Sequence, residues 1–485
     1  MKKPDYDWWI QHSHTDSAFL LLADSPELFE QSILSRLKKV KRKPDQGVIN
    51  QATYRAIHEQ DRFGSMSSIL DEIHPVITKP LEDPLHPFSG EIRADGDMFS
   101  DNESPFPALG VSAFWCPWAV RHNRTQLDKM AEWASACGMN YVRWFGSHDW
   151  QGGTDVQTPN YFQLMEETIQ ALAEHGLRSE ITLFTRRHLI SDPEWFVGEW
   201  AKLINSYRDH VLFVEIANEF NHQHNGWGAQ EIRSLGITFK ELSDAPLALS
   251  APCASDWDGI VESLSHLHDG SPSDVTSVHF PRRDNTNEGP WRWVRQPWHS
   301  RWEIPNCPRL IIDNEHQRWD RSNGGRIIEV AASAPLAAFI SGCGASAHHD
   351  ICGVHNDKGE YSDLPEAESL RRVFRSVMPL IPSDICKWQE TRVGTGGGPH
   401  PFPDLESEHW THGGPSHGVS RAFAAVQHDK FAMLLSGVRD YVELSDVQSR
   451  EFQIISLKNG EQVYEGKGPV RLDENLGQAF FVVTV

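Results

Sequence analysis

The sequence predicts an α/β fold: a closed (β/α)8 TIM barrel with an N-terminal helical extension and a small C-terminal β-sandwich. Three observations predict it. Eight short apolar runs follow one another at intervals of about 30–35 residues, which is the arithmetic of such a barrel. Amphipathic stretches with apolar residues recurring at three and four separate them. The last hundred or so residues then turn β-rich, with Gly-containing turns between segments.

In chain order, residues 1–73 read as a largely helical extension, because SPELFEQSILSRLKKVKRK and NQATYRAIHEQDR have helical spacing and a Ser or Asn start. Residues 74–380 read as the barrel domain, led by a hairpin rich in Gly, Asp and Asn up to residue 107. The runs are ALGVSAFW (108–115), NYVRWFG (140–146), RSEITLFT (178–185), VLFVEIANE (211–219), LALSAPCAS (247–255), VTSVHFPR (275–282), RLIIDNEH (309–316) and GASAHH (344–349). TQLDKMAEWASACG, YFQLMEETIQALAEHG, EWFVGEWAKLINSY and RIIEVAASAPLAAFI are helix candidates between them. An open doubly wound sheet is the competing topology, but no GxGxxG or GxxxxGK[ST] opens such a domain. Residues 381–485 read as the sandwich, through KFAMLLSG, REFQIISLKNGEQVYEG and QAFFVVTV.

Composition narrows the function. The 485 residues are 39% hydrophobic and 23% charged, with a net charge of −22. That field repels phosphate backbones and anionic lipid surfaces, so nucleic acid is not an expected partner. The cluster Lys38, Lys39, Lys41, Arg42 and Lys43 reads as a solvated helix end. No apolar window is long enough for a membrane span. Seven widely spaced cysteines contain no CxxC pair, which fits reduced thiols better than a disulfide framework or a zinc knuckle. The N-terminal MKKPDYDWWIQHSH has no apolar stretch of signal-peptide type, so the expectation is a cytoplasmic protein.

Eighteen tryptophans stand against eight tyrosines, several in loop-like context, as with Trp291, Trp293, Trp298 and Trp302. Indole offers a flat apolar face for sugar C–H groups and one N–H for a hydroxyl. An oligosaccharide or polysaccharide is the partner this suggests, with core or rim packing as the alternative use of the same rings.

Barrel active sites lie where the strands end, and two runs end in Asn-Glu: Asn218-Glu219 closes the fourth and Asn314-Glu315 lies at the end of the seventh. A carboxyl group at the edge of an apolar wall favours its neutral acid form. Two carboxyls facing across a barrel mouth can act on one acetal. A separation of about 5–5.5 Å gives double displacement with retention, and about 6.5–9.5 Å gives inversion by water. Strand-end acids that cap a helix or pair with Arg are the bland alternative for either glutamate alone.

These residues resemble the clan A retaining glycoside hydrolases, the group of family five cellulases and mannanases, which end strand four in Asn-Glu and strand seven in a nucleophilic Glu. The resemblance covers about residues 108–350. It implies that Glu219 is the acid/base and Glu315 the nucleophile, that Asn218 binds the sugar 2-hydroxyl, and that Arg143 in YVRWFG steadies the nucleophile. His279 in SVHFP is similar to the His of the group's HxY motif. The tyrosine of that motif falls on Pro281, the frequent NEP becomes Asn218-Glu219-Phe220, and strand eight ends in Ala347-His348-His349-Asp350 instead of the group's tryptophan floor.

His148 and Asp149 after the second run, Arg186, Arg187 and His188 after the third, and His348 after the eighth are candidate sugar contacts, because loops after barrel strands gather binding groups. Trp150 and Trp227 are candidate stacking platforms. The reading requires no cofactor and no metal. Two rivals stand beside it. One is a metal-dependent barrel hydrolase of amidohydrolase type, using His12 and His14 with His348, His349 and Asp350. The other is a non-catalytic glycan-binding barrel.

Overall fold

The structure, a computed structural model, describes residues 88, 90–102, 104–149, 153–254, 257–280, 294, 297, 304, 307–316, 327–349, 365–393, 410–412, 421–438, 441–444, 451–473 and 475–485. The helical extension read over residues 1–73 lies outside them. So do Trp150, Trp291 and Trp293.

The hairpin expected before the barrel is a three-stranded antiparallel sheet of β1 (Arg93–Asp95), β2 (Met98–Ser100) and β3 (Pro105–Phe106). Its Ile92, Phe99 and Phe106 pack with residues near the starts of the barrel strands, among them Tyr141, Phe213, Val275 and Leu310. Phe99 stacks on Phe213 with ring centroids 5.7 Å apart. The N-terminal mouth of the barrel is thereby filled with apolar side chains.

All eight apolar runs form strands, and they close into one parallel barrel. They are β4 (Ala108–Ser112), β5 (Tyr141–Phe145), β6 (Arg178–Phe184), β7 (Val211–Ala217), β8 (Leu247–Ala248), β9 (Val275–Val278), β10 (Leu310–His316) and β11 (Ala345–His348). Closure comes from β11 pairing with both β10 and β4. The strands are buried on both faces, which is why they read as continuous apolar runs without alternation. Around them run α1 (Cys116–His122), α2 (Arg124–Ala136), α3 (Tyr161–Ala173), α4 (Pro193–Ser206), α5 (Ala229–Leu242), α6 (Trp257–His268), α7 (Ile328–Ile340) and α8 (Pro365–Val377).

Local chemistry sets several helix starts. Asp192 caps α4 by accepting the Trp195 N–H, with Pro193 in the first turn and Glu194 at the positive end of the dipole. Asn123 accepts the Gln126 N–H at the start of α2, and its amide donates back to Gln126 Oε1 at 2.9 Å.

The described residues of the C-terminal region form two antiparallel sheets. The larger has the order β12-β14-β15-β20-β17-β18, built from β12 (Gln389–Val393), β14 (Arg421–Gln427), β15 (Lys430–Ser436), β17 (Phe452–Ser456), β18 (Gln462–Gly466) and β20 (Ala479–Thr484). The smaller is β13 (Trp410–His412), β16 (Tyr441–Leu444) and β19 (Val470–Asp473). The period of two along a strand divides the side chains of the larger sheet between two cores. Phe431, Met433 and Leu435, with Phe480 and Val482, meet Leu444 and Leu472 of the smaller sheet. Ala432 and Leu434, with Phe481 and Val483, join the barrel's own core beside Leu336 and Phe339 of α7. Almost every residue of α7, Pro335 included, is buried.

Close packing inside the barrel gives a test. A Cβ on Gly110 would lie 2.5 Å from ring carbons of Tyr141, and that ring is fully buried with no room to swing away. Gly110→Ala is expected to lower unfolding stability by about 1–3 kcal/mol, measured by urea denaturation followed by tryptophan fluorescence.

Candidate active site

Above the apolar floor, the barrel interior changes to charge. Along β5 the inward positions are Tyr141 and Arg143, one turn of the pleat apart. Arg143 is fully buried, and its guanidinium meets three carboxylates. Its Nη1 donates to Glu315 Oε1 at 2.9 Å and its Nη2 to Glu215 Oε2 at 3.1 Å, while Nε lies 3.2 Å from Glu180 Oε1. Nη2 also donates to Asn218 Oδ1 at 2.8 Å. The stacked rings of Phe114 and Phe145 lie beside it, each centroid 5.2 Å from Cζ.

The carboxylates below the mouth have further donors. Glu215 accepts from Thr182 Oγ1 at 2.8 Å and from the Ala251 backbone N–H at 3.0 Å. Asn314 Nδ2 donates to Glu180 Oε1 at 3.1 Å and to Glu215 Oε1 at 3.3 Å. Burial pushes the Glu180 carboxyl well above its ordinary range, against the opposing pull of Arg143 and with Glu215 adding to the rise. Burial alone would lower the Arg143 pKa, but Glu215, Glu315 and Glu180 together raise it. The cation therefore keeps its charge, while burial and the neighbouring Glu215 favour the neutral acid form of Glu180.

At the mouth, the two glutamates named from the sequence come together. One carboxylate oxygen of Glu219, one of Glu315 and a ring nitrogen of His279 lie within 4.8 Å of one another. His279 stands between the acids, with Nδ1 3.1 Å from Glu219 Oε1 and Nε2 3.6 Å from Glu315 Oε1. His349 Nε2 lies 3.7 Å from Glu315 Oε2. Glu315 is nearly buried, its side chain 8% exposed, whereas that of Glu219 is 20% exposed.

Glu219 has a backbone φ of +42°, a left-handed conformation that costs a residue with a Cβ of order 1–3 kcal/mol. Its neighbours hold it there. Asn225 Nδ2 donates to the carbonyls of Asn218 and Glu219 at 2.9 and 3.0 Å. The Phe220 N–H donates to Ser250 Oγ at 3.0 Å, and the Asn218 N–H donates to the Phe184 carbonyl of β6.

The structure thus brings Glu219, Glu315, Asn218, Arg143 and His279 into one constellation, and it separates other candidates from it. His348 was read as a sugar contact, but its ring packs edge-on against Phe374 of α8. The pleat explains the correction: Ala345 and Ala347 face the barrel interior, so His348 must face out. His349 takes the place at the mouth, and the small residues two and four positions before it were the available signal. Trp227, expected as a stacking platform, is 6% exposed. Its N–H goes to the Thr185 carbonyl at 2.8 Å, and its ring lies between Phe184 and the Arg187 guanidinium. It is a wall. His148 is likewise buried, Nε2 3.1 Å from the Phe114 carbonyl, and it backs the Phe114–Phe145 pair. Asp149 accepts from Arg186 at 2.7 Å and lies 3.8 Å from His188, an ion cluster on the loops after β5 and β6.

Glu180, Glu215 and Asn225 were not singled out. The first two were detectable in principle, because an acid in the middle of an apolar run must be buried with a partner. Asn225 acts through the main chain and carries no sequence signature.

No family model matches the chain, and no curated protein matches it. Solved structures do resemble it. A glycoside hydrolase superposes with a TM-score of 0.58 at 13% identity, over 82% of this chain and 97% of that one. A family 5 glycoside hydrolase from Bacteroides vulgatus gives 0.58 at 13% identity, over 83% and 95%. A putative glycoside hydrolase from the same organism gives 0.53 at 13% identity, over 82% of each chain. The shared span is larger than the barrel alone, so the likeness in fold extends into the appended sheets.

The buried network has its own test. Arg143→Met is expected to cost about 3–5 kcal/mol, because it leaves buried carboxylates without their cation. Glu180→Gln keeps the shape and an acceptor oxygen in place and is expected to cost less than Arg143→Met. Burial raises the Glu180 pKa in the native state above that of the unfolded chain. Its contribution is therefore complete below that range and declines as pH rises towards the native value. Urea unfolding at several pH values should show a smaller loss of stability with rising pH in Glu180→Gln than in the parent.

Proposed function

We propose that this protein hydrolyses a β-glycosidic bond in an oligosaccharide or polysaccharide with retention of configuration, Glu315 acting as nucleophile and Glu219 as acid/base. The observation that carries the reading is the approach of a Glu219 oxygen and a Glu315 oxygen to within 4.8 Å at the C-terminal mouth of a closed barrel. That approach of the nearest oxygens is compatible with the roughly 5–5.5 Å between carboxyl groups that double displacement uses. The names of the structural neighbours agree with the reaction class.

The environments divide the roles. Glu315 sits against the guanidinium of Arg143, which favours the ionised form a nucleophile needs. Glu219 is the more exposed of the two and has His279 for a neighbour in place of a guanidinium. In the first step Glu219 gives its proton to the glycosidic oxygen as a Glu315 oxygen bonds to the anomeric carbon, and the alcohol departs. In the second, Glu219 takes a proton from water, whose oxygen attacks the anomeric carbon and releases Glu315. The Asn218 oxygen is engaged by Arg143, which leaves its amide N–H groups for the sugar 2-hydroxyl. Pro281 stands where the resembling group has a tyrosine, and among the described residues the rings of His279 and His349 approach Glu315.

None of these steps calls for a metal. In the rival metal-dependent reading, His348 would be a ligand, yet it faces α8; His12, His14 and Asp350 lie outside the described residues. No helix among the described residues is long and apolar enough to cross a membrane.

A screen of nitrophenyl glycosides is the direct test, with turnover expected to survive chelator. A 2-fluoro sugar with a good leaving group should label Glu315, as read by peptide mass spectrometry. Glu219→Ala should lower kcat by roughly 10²–10⁴ and regain rate with azide on an activated substrate. Labelling of another residue, or loss of turnover with chelator but not with Glu219→Gln, would refute the assignment.

A further inference from the structure

Beside the carboxylate pair, the loops following β7 and β8 bring together a second group of ligating side chains. A ring nitrogen of His222, the Sγ of Cys253 and a carboxylate oxygen of Glu219 lie within 4.8 Å of one another. All three residues are partly exposed, so an ion can reach them from solvent. The loops are fastened to each other: Asn221 Nδ2 donates to the Cys253 carbonyl at 2.9 Å, and the Cys253 N–H donates to Asn221 Oδ1 at 2.7 Å. The His222 N–H donates to the Glu219 carbonyl at 2.9 Å. His222 Nδ1 receives the His224 N–H at 3.4 Å, which orients the ring. The three side chains are thus presented from a braced main chain.

We propose that Glu219, His222 and Cys253 bind a thiophilic divalent cation of the zinc class, and that the bound ion shuts off the carboxylate pair by occupying Glu219. One thiolate, one imidazole and one carboxylate are the ligand types zinc takes, whereas magnesium and calcium prefer all-oxygen shells. Around a tetrahedral ion with bonds of 2.0–2.3 Å, ligand atoms stand about 3.3–3.8 Å apart, so the group has to contract by at most about 1.5 Å. Three protein ligands leave the fourth position to water. The chain's net charge of −22 draws cations towards it. On binding, the Cys253 thiol and any protonated Glu219 lose their protons to solvent. A carboxylate held by the ion can neither deliver a proton to a leaving group nor take one from water. The inhibitory half of the proposal rests on the acid/base role of Glu219; the binding half does not.

The two halves are tested separately on the full chain. Cadmium, a spectroscopic stand-in for zinc, should produce a thiolate-to-metal charge-transfer band in the ultraviolet. Cys253→Ser should remove that band, and His222→Ala should weaken cadmium binding by roughly tenfold or more. If Cys253→Ser and His222→Ala both titrate as the parent does, the site is refuted. Turnover of an active nitrophenyl glycoside should fall on adding zinc chloride and return with chelator. Cys253→Ser should keep the zinc-free rate and lose the sensitivity. Cadmium binding at Cys253 without zinc inhibition would overturn the regulatory half, and zinc inhibition unchanged in Cys253→Ser would do the same. If no glycoside is turned over, the absorbance titration still decides the binding, and the failure falls on the hydrolase reading.

Discussion

The buried guanidinium of Arg143 is the constraint around which the upper half of the barrel is arranged. A cation with no exposed surface must find its compensation within the protein, and one charge cannot balance three carboxylates. Burial favours the neutral form of Glu180, and the hydroxyl of Thr182, the amide of Asn314 and the main chain at Ala251 supply further donors. Because the same guanidinium touches Glu315 and Asn218, satisfying it orients two groups of the mouth at once. Asn218 lies on the strand-four side and Glu315 on strand seven, so one side chain from strand two sets a distance across the barrel.

The two facing acids are held by different means. Glu315 is fixed by charge, through a contact with a group that cannot lose its proton. Glu219 is fixed by main chain, through a left-handed residue whose carbonyl and whose predecessor's carbonyl both receive the Asn225 amide. The first arrangement sets a carboxylate against a buried cation; the second places a carboxyl group through the main chain, with no guanidinium beside it. The double displacement proposed above would use that asymmetry, since one acid must act as nucleophile and the other must gain and lose a proton.

Most of the barrel was legible because its strands are short, apolar and separated by strongly periodic helices. Each of the eight runs contains its strand, and the Asn-Glu endings of the fourth and seventh pointed to the mouth. Orientation was harder to read. At the end of β11 two adjacent histidines compete for the inward position, and only the pleat, counted back through Ala347 and Ala345, shows that His349 takes it and His348 does not. Trp227 failed as a platform for a related reason: composition reports that a ring exists, while its partners Thr185, Phe184 and Arg187 come from elements distant in sequence. The buried acids Glu180 and Glu215 were hidden by the strength of the apolar pattern around them. Asn225 was beyond reach, because main-chain support of a strained residue leaves no periodicity and no motif.

Helix α7 has no wet side. Apolar strand residues press on it from the barrel within and from the larger C-terminal sheet without, so neither structure can be removed without baring it. An excised barrel would present a greasy rod to water and aggregate, and the larger C-terminal sheet would lose the core on one of its two faces. The sheets are an outer skin of the barrel, sharing its core through one helix, and not a module hung on a linker.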